Sequence, residues 1–235
     1  QGKGLPMQKV LQAVKVSDHV HWVGAIDWAI RDFHGYLTSR GTTYNAYLVT
    51  GDKNVLIDTV KPAFKDEMLA RVASVIDPKK VDVLISNHTE MDHSGSIPDL
   101  LEATDPEKVY ASTKGAEALA NHFHLDREVT VVKDGESLDI GGLSYTFVET
   151  PMLHWPDSMW TYLADDALVF SNDAFGMHLA SSERFADELP DDVLRWEAAK
   201  YYANILLPLS GLVTKLVERV GKLNLKIDTI APDHG

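Results

Sequence analysis

The sequence predicts an α/β fold in which two β-sheets pack face to face and are clad by helices, an α/β/β/α sandwich. Three observations predict it. β-rich runs occur in both halves of the chain, helical patterns stand between and after them, and residues 81–86 form a nearly continuous apolar run of the kind found in a sheet buried on both faces. Taken in order, 45–50 and 53–58 read as a hairpin turning at Gly51 and Asp52, and a polar-faced helix covers about 64–76. The strand 81–86 follows, then a helix over about 95–103 with Pro98 near its start. Strand 108–111, helix 114–123 and strand 129–132 come next. Two hairpins turn at Gly141 and Gly142 and at Asp165 and Asp166. The chain then becomes helical over about 191–206 and 210–222 and ends in a strand at 226–231.

Composition narrows the function. The 235 residues, 45% hydrophobic and 24% charged, suit a globular chain that buries a core without staples, read here as one domain over 1–235. Lys and Arg total 22 against 35 Asp and Glu, and the net charge of −13 repels nucleic acid and anionic lipid. With no cysteine, disulfides, thiolate-bound zinc, iron–sulfur clusters and a Cys nucleophile are excluded within the sequence, and a cytoplasmic setting is expected. No apolar stretch approaches the ~18–20 residues that cross a bilayer. Residues 1–6 lack the apolar segment of a secretory signal and read as an added remnant before a native start at Met7.

The chemistry concentrates directly beyond strand 81–86. His88, Glu90, Asp92 and His93 place four metal-ligand side chains within six residues. In an extended turn alternate residues project together, so His88, Glu90 and Asp92 converge while His93 points elsewhere. One ion cannot readily use all four, and the spacing suits two neighbouring ions. Further ligand types stand at later strand ends: His154 after 144–149, Asp173 after the apolar run ending at Ser171, and His234 after 226–231. Singly, each is more often a turn, cap or surface residue. The repetition of a ligand after a strand gives them weight together. Imidazole and carboxylate without thiolate suit iron or manganese as well as zinc.

This constellation resembles the metallo-β-lactamase superfamily and, within it, the flavodiiron proteins (A-type flavoproteins). Glu90 stands where the zinc hydrolases of the superfamily usually carry a second His. The stretches Asp32 to Tyr36, Gly41 to Ala46, Ser171 to Gly176 and Tyr201 to Asn204 are also similar to that branch. The resemblance covers essentially the whole chain and implies the metallo-β-lactamase-like four-layer α/β/β/α fold. It implies one iron on His88, Glu90 and His154, a second on Asp92, His93 and His234, and Asp173 bridging them. It further implies reduction of dioxygen to water or of nitric oxide to nitrous oxide and a head-to-tail homodimer. Electrons would come from FMN on a flavodoxin-like domain, or from an external donor such as a rubredoxin-like protein. No phosphate-cradling Gly/Ser/Thr loop for a flavin occurs here, so the sequence is read as stopping ahead of such a domain.

Beside the metals, His34, Tyr36, Tyr202 and His178 are the candidates, with His34 and Tyr202 set to contact a bound diatomic. The segment Trp155, Pro156, Met159 and Trp160 is expected to shield the pocket from water. Two other functions use the same ligands: an oxygen-binding or sensing diiron module, and a zinc hydrolase in which a metal-bound hydroxide attacks an ester, amide or phosphodiester. The added negative charge of Glu90 favours redox chemistry over hydrolysis.

Overall fold

The computed structural model of the chain describes residues 11–235. The reading of Met7 as a native start lies outside them. The first sheet begins with β1 (Val14–Lys15) and β2 (Val20–Trp22). Then come β3 (Ala25–Asp27), the ribbon of β4 (Asp32–Phe33) and β5 (Tyr36–Leu37), and β6 (Thr42–Tyr44), which pairs with β3. None of these six strands exceeds three residues, too short for a two-residue periodicity to register, and the sequence reading assigns none of them.

The chain then enters β7 (Tyr47–Val49) and β8 (Asn54–Ile57), the expected hairpin, followed by helix α1 (Lys65–Ala73) and β9 (Val81–Ser86). The short α2 (Met91–Ser94) and α3 (Ile97–Thr104) lead to β10 (Lys108–Ala111), α4 (Thr113–His122) and β11 (Thr130–Val131). Pro98 sits in the first turn of α3, where its missing N–H costs nothing. These strands form one seven-stranded sheet in the order β1-β2-β7-β8-β9-β10-β11, parallel from β8 onward.

A second, five-stranded sheet runs in simple chain order through β12 (Ser137–Ile140), β13 (Leu143–Glu149), β14 (Met159–Leu163), β15 (Leu168–Phe170) and β16 (Thr229–Ala231). Between β15 and β16 lie α5 (Asp191–Tyr201), a π-helical turn over Tyr202–Leu206, and α6 (Ser210–Leu223).

Strand parity builds the layers. Val55, Ile57, Val83 and Ile85 face the second sheet and meet Tyr145, Phe147, Met159 and Phe170, while Leu56 and Leu84 face outward onto Met68, Val72, Ile97 and Leu119 of the helices. On the other side Val148, Trp160, Tyr162 and Val169 pack under Tyr201, Leu206 and Leu216. Each such aliphatic side chain contributes about 1.5–3 kcal/mol on full burial. The result is the expected four-layer α/β/β/α sandwich. No helix among the described residues is long and apolar enough to cross a membrane.

β13, β15 and β16 share one direction, because β14 runs antiparallel to both of its neighbours and β16 is parallel to β15. Their C-terminal ends therefore reach the same rim. Asn87, just after β9, stitches this rim together: its amide N–H and side-chain NH2 donate to Asp58 at 2.7 and 2.9 Å, and its backbone and side-chain oxygens accept from Met159 and Thr161 of the other sheet.

Candidate metal centre

The rim gathers the strand-end residues from all four positions into one buried cluster. His88 Nε2 lies 3.4 Å from Glu90 Oε2 and 3.3 Å from Asp173 Oδ2. His154 Nε2 reaches the same two atoms at 3.1 and 2.9 Å. On the other side His93 Nε2 stands 3.1 Å from Asp92 Oδ2 and 3.0 Å from Asp173 Oδ1, and His234 Nε2 approaches them at 3.1 and 3.3 Å. Asp173 thus turns one carboxylate oxygen to each group of three. His88, His93, Asp173 and His234 are fully buried; Glu90 and His154 keep side-chain exposures of 20% and 14% and form the mouth.

The local geometry departs from the extended turn in one respect. The backbone turns helical at Met91, so alternation ends there. Asp92 and His93, adjacent in sequence, end up in the same group, and His88 and Glu90 in the other. His93 does not point away from the cluster.

Every imidazole in the cluster presents Nε2 inward, and three Nδ1 atoms face an acceptor outward. His88 Nδ1 is 3.3 Å from Asp157 Oδ2, which also accepts from the Thr89 backbone and hydroxyl at 2.7 Å each. His234 Nδ1 donates to the Thr43 carbonyl at 2.6 Å, and His93 Nδ1 faces the buried Asp233 at 3.7 Å. The first two partners fix ring orientation and leave the inner nitrogen free to ligate, whereas His93 Nδ1 makes no hydrogen bond. Asp157→Ala is expected to free the His88 ring and leave Thr89 N–H unpaired, weakening ion affinity at that group about 10- to 100-fold, as read by metal titration.

Electrostatics point the same way. Burial disfavours charge on His88 and His93, yet the surrounding carboxylates, Asp157 and Asp173 for the first and Asp92 and Asp173 for the second, hold both well above the ordinary histidine value. His154, likewise opposed by burial, is pushed up to about 9 by Asp173 and Glu90. Against the cost of burial, the histidines hold Glu90, Asp92 and Asp173 well below the carboxylate range. In a dry pocket the three carboxylates demand nearby positive charge. Asp92 Oδ1 and Oδ2, Asp173 Oδ1, His93 Nε2 and His234 Nε2 are buried without a hydrogen-bond partner. Such orphaned atoms, all hard N and O donors converging on two points, fit a pair of cations.

The neighbouring candidates divide. His34 stands at the site, with Nε2 3.3 Å from Glu90 Oε1, and His178 is buried behind it, held well below the ordinary value by burial and the nearby His234 and His34. Tyr36 lies against His178 with ring centroids 5.6 Å apart and its hydroxyl unpartnered. Tyr202 is elsewhere: its hydroxyl meets Ser210 Oγ at 3.2 Å and its ring packs in the outer cluster. Tyr201 faces the cluster instead, 5.2 Å from His178 and 6.3 Å from His234 by ring centroids. Successive helical residues point ~100° apart, so only one of the two tyrosines can face inward. Trp155 packs edge-on to His88 at 5.4 Å, whereas Met159 and Trp160 belong to the two apolar cores.

Sequence reasoning missed Asp58, Asp157, Asp233, Thr42 and Tyr201. Asp58 follows β8 directly and obeys the same ligand-after-strand rule. It is pushed up to about 6 by burial and spends its oxygens on Asn87 rather than on the cluster.

A family model described as ODP family beta lactamase matches residues 42–235. The chain is 49% identical over 227 residues to a nitric oxide reductase of Moorella thermoacetica, covering 95% of this chain and 57% of that protein. It superimposes on the rubredoxin oxygen:oxidoreductase structure from Desulfovibrio gigas with TM-score 0.93 and 50% identity, covering 95% of this chain and 56% of that one. The flavodiiron protein structure from Giardia intestinalis matches with TM-score 0.90 and 34% identity, covering 97% of this chain and 56% of that one. The chain therefore spans little more than half the length of these relatives. The chain belongs to the ODP beta-lactamase family and has the fold of the flavodiiron proteins.

Proposed function

We propose that this chain is the metal-bearing part of an oxidoreductase that reduces dioxygen to water, nitric oxide to nitrous oxide, or both. The observation that carries the reading is the pair of three-residue groups joined through the two oxygens of Asp173. His88, Glu90 and His154 would hold one iron, Asp92, His93 and His234 the other, with Asp173 between them. Iron held by these residues would supply the electrons for reducing a small molecule. The protein's part is to set charge, access and protons. Full burial of His88, His93, Asp173 and His234 keeps water from the inner half, and His34 offers a ring N–H above Glu90. Glu90 and His154, the more exposed members of the cluster, would face the side from which gas and electrons arrive.

No cysteine is present to carry an electron relay, so the donor is a separate group: FMN on a flavodoxin-like domain, or a rubredoxin-like protein. The names of the relatives support both the substrates and the donor. A cytoplasmic setting and a head-to-tail homodimer complete the proposal.

Iron-loaded protein, reduced without oxygen and mixed with O2 or NO, is the test. About two irons per chain and consumption of either gas, with nitrous oxide formed from NO, are the expected results. Two tightly held zincs with hydrolysis of a phosphodiester or lactam, and no gas consumed, would replace this reading with the hydrolase. A persistent oxygen adduct without turnover would replace it with an oxygen-binding module.

A further inference from the structure

A track of close polar contacts, hydrogen-bonded from His34 through His178 and Thr42 to His234, runs behind the candidate centre and touches both of its halves. His34 Nε2 is 3.3 Å from Glu90 Oε1, and its Nδ1 is 3.0 Å from His178 Nε2. His178 Nδ1 is 2.8 Å from Thr42 Oγ1, which lies 3.3 Å from His234 Nδ1. Glu90 belongs to one three-residue group and His234 to the other.

Proton positions along this track follow from which atoms can only accept. The Thr43 carbonyl accepts, so His234 Nδ1 carries its proton. Glu90 Oε1 is a carboxylate oxygen whose sister Oε2 faces His88 and His154, so the His34 nitrogen 3.3 Å from it carries a proton rather than an opposing lone pair. One proton is left between His34 Nδ1 and His178 Nε2. Whichever nitrogen owns it, His34 keeps a proton on Nε2. His34, Glu90 and Asp92 each bring a ligand atom within 4.8 Å of the others, so the His34 ring stands beside both groups.

The backbone holds His34 in place for this task. It occupies the tip of the β4–β5 ribbon at φ 52°, followed by Gly35 at φ 75°, the two left-handed residues that a tight hairpin turn of this hand requires. Its ring stacks on Phe33 at 4.1 Å between centroids. Stacking limits tilt but still permits a half-turn about the Cβ–Cγ bond, which swaps Nδ1 with Cδ2 and Nε2 with Cε1. The hydrogen bond between His178 Nε2 and His34 Nδ1 removes that freedom.

We propose that His178 is a positioning residue: bonded to His34 Nδ1 and braced by Thr42, it holds the His34 ring beside both ligand groups so that Nε2–H is presented to Glu90. This rests on the reading of the cluster as a two-ion site, which the test keeps separate.

Two substitutions divide the two ends of His178. In His178→Asn the amide reaches the position of Nδ1 and keeps Thr42 but falls short of His34. In His178→Gln it reaches the position of Nε2 and keeps His34. Long-range ¹H–¹⁵N correlation spectra of the zinc-loaded chain, labelled at histidine and assigned with His34→Gln, read the protonated nitrogen of His34 without any turnover. The wild type is expected to show Nε2 protonated. His178→Asn should show mixed nitrogens on His34, with ion content retained and gas reduction by the iron-loaded form down about 10- to 100-fold. His178→Gln should keep the wild-type His34 signals and most of the activity. A wild-type His34 protonated on Nδ1 alone would overturn the proposal, as would unchanged His34 signals in His178→Asn. Loss of folding or of ions in His178→Asn would make the residue structural and overturn it equally. If the wild-type spectrum is as expected but no gas is consumed, the proposed reaction fails and the positioning role stands.

Discussion

Asp173→Ala is expected to strip both ions from the chain, whereas Glu90→Ala weakens one. Asp173 alone spends an oxygen on each group, Oδ2 toward His88 and His154 and Oδ1 toward His93 and His234, at 2.9–3.3 Å. Its removal leaves four inward-facing imidazoles with less negative charge to offset two cations, and the side chain is fully buried, so water cannot readily take its place. Glu90 serves only the His88 and His154 group, through Oε2. Metal analysis after dialysis should fall from about two ions per chain to near none for Asp173→Ala and to about one for Glu90→Ala. Gas reduction in Asp173→Ala should drop by more than the ~100-fold typical of losing an outer partner. Equal metal loss from the two variants would contradict the bridging role.

The second large effect is pH dependence, and its sign differs between the metal-free and loaded chains. In the metal-free chain His154 is raised from an ordinary 6.5 to about 9. The stability this contributes is fully present below the unfolded value and is lost as pH rises through about 9. His88 and His93, shifted the same way, add to that alkaline loss. Glu90, Asp92 and Asp173 are depressed, so their contribution is present above the ordinary carboxylate range and is lost as pH falls from that range toward their depressed values. The metal-free chain should therefore melt at a Tm lower by about 5 °C or more at pH 10 than at pH 7.5. In the loaded chain the ions take the place of those protons, so this alkaline drop should disappear. Ion affinity should instead fall with decreasing pH, because each ligating histidine must first release its proton. A melting series with and without metal checks both limbs; parallel curves would contradict the charge balance inferred for the cluster.

Much of this molecule is legible in the linear chain because the relevant signals are local. The apolar run 81–86, the hairpin turns at Gly51 and Gly141, and the helical pattern around 114–123 each depend on residues a few positions apart, and β9, β7–β8, β12–β13 and α4 appear there. The strands between residues 14 and 44 escaped notice for the opposite reason. They are fragments of two or three residues, held by pairing with distant partners such as β7 and by the ribbon that carries His34.

The site shows the same division. Ligand types at strand ends can be read off one dimension, and seven residues separated by up to 146 positions were named that way. Which tyrosine faces inward could not be: Tyr201 and Tyr202 are chemically identical, and their choice is made by how α5 docks on the second sheet. The partnership of Asp157 with His88 spans 69 positions and leaves no trace in either neighbourhood.

The sequence by itself determined the layered α/β class, the chemical character of the centre and the residues able to form it, because composition and short-range periodicity encode these directly. Residue spacing left open how the candidate ligands divide, a split only the family resemblance implied; the tertiary structure decided it, with the helical turn at Met91 sending Asp92 and His93 to one group and leaving His88 and Glu90 in the other. It also decided that Asp173 stands between them and that His178 reaches His34. Those outcomes depend on the direction in which β13, β15 and β16 run relative to β9, and on side-chain packing between segments far apart in the chain, which no local pattern records.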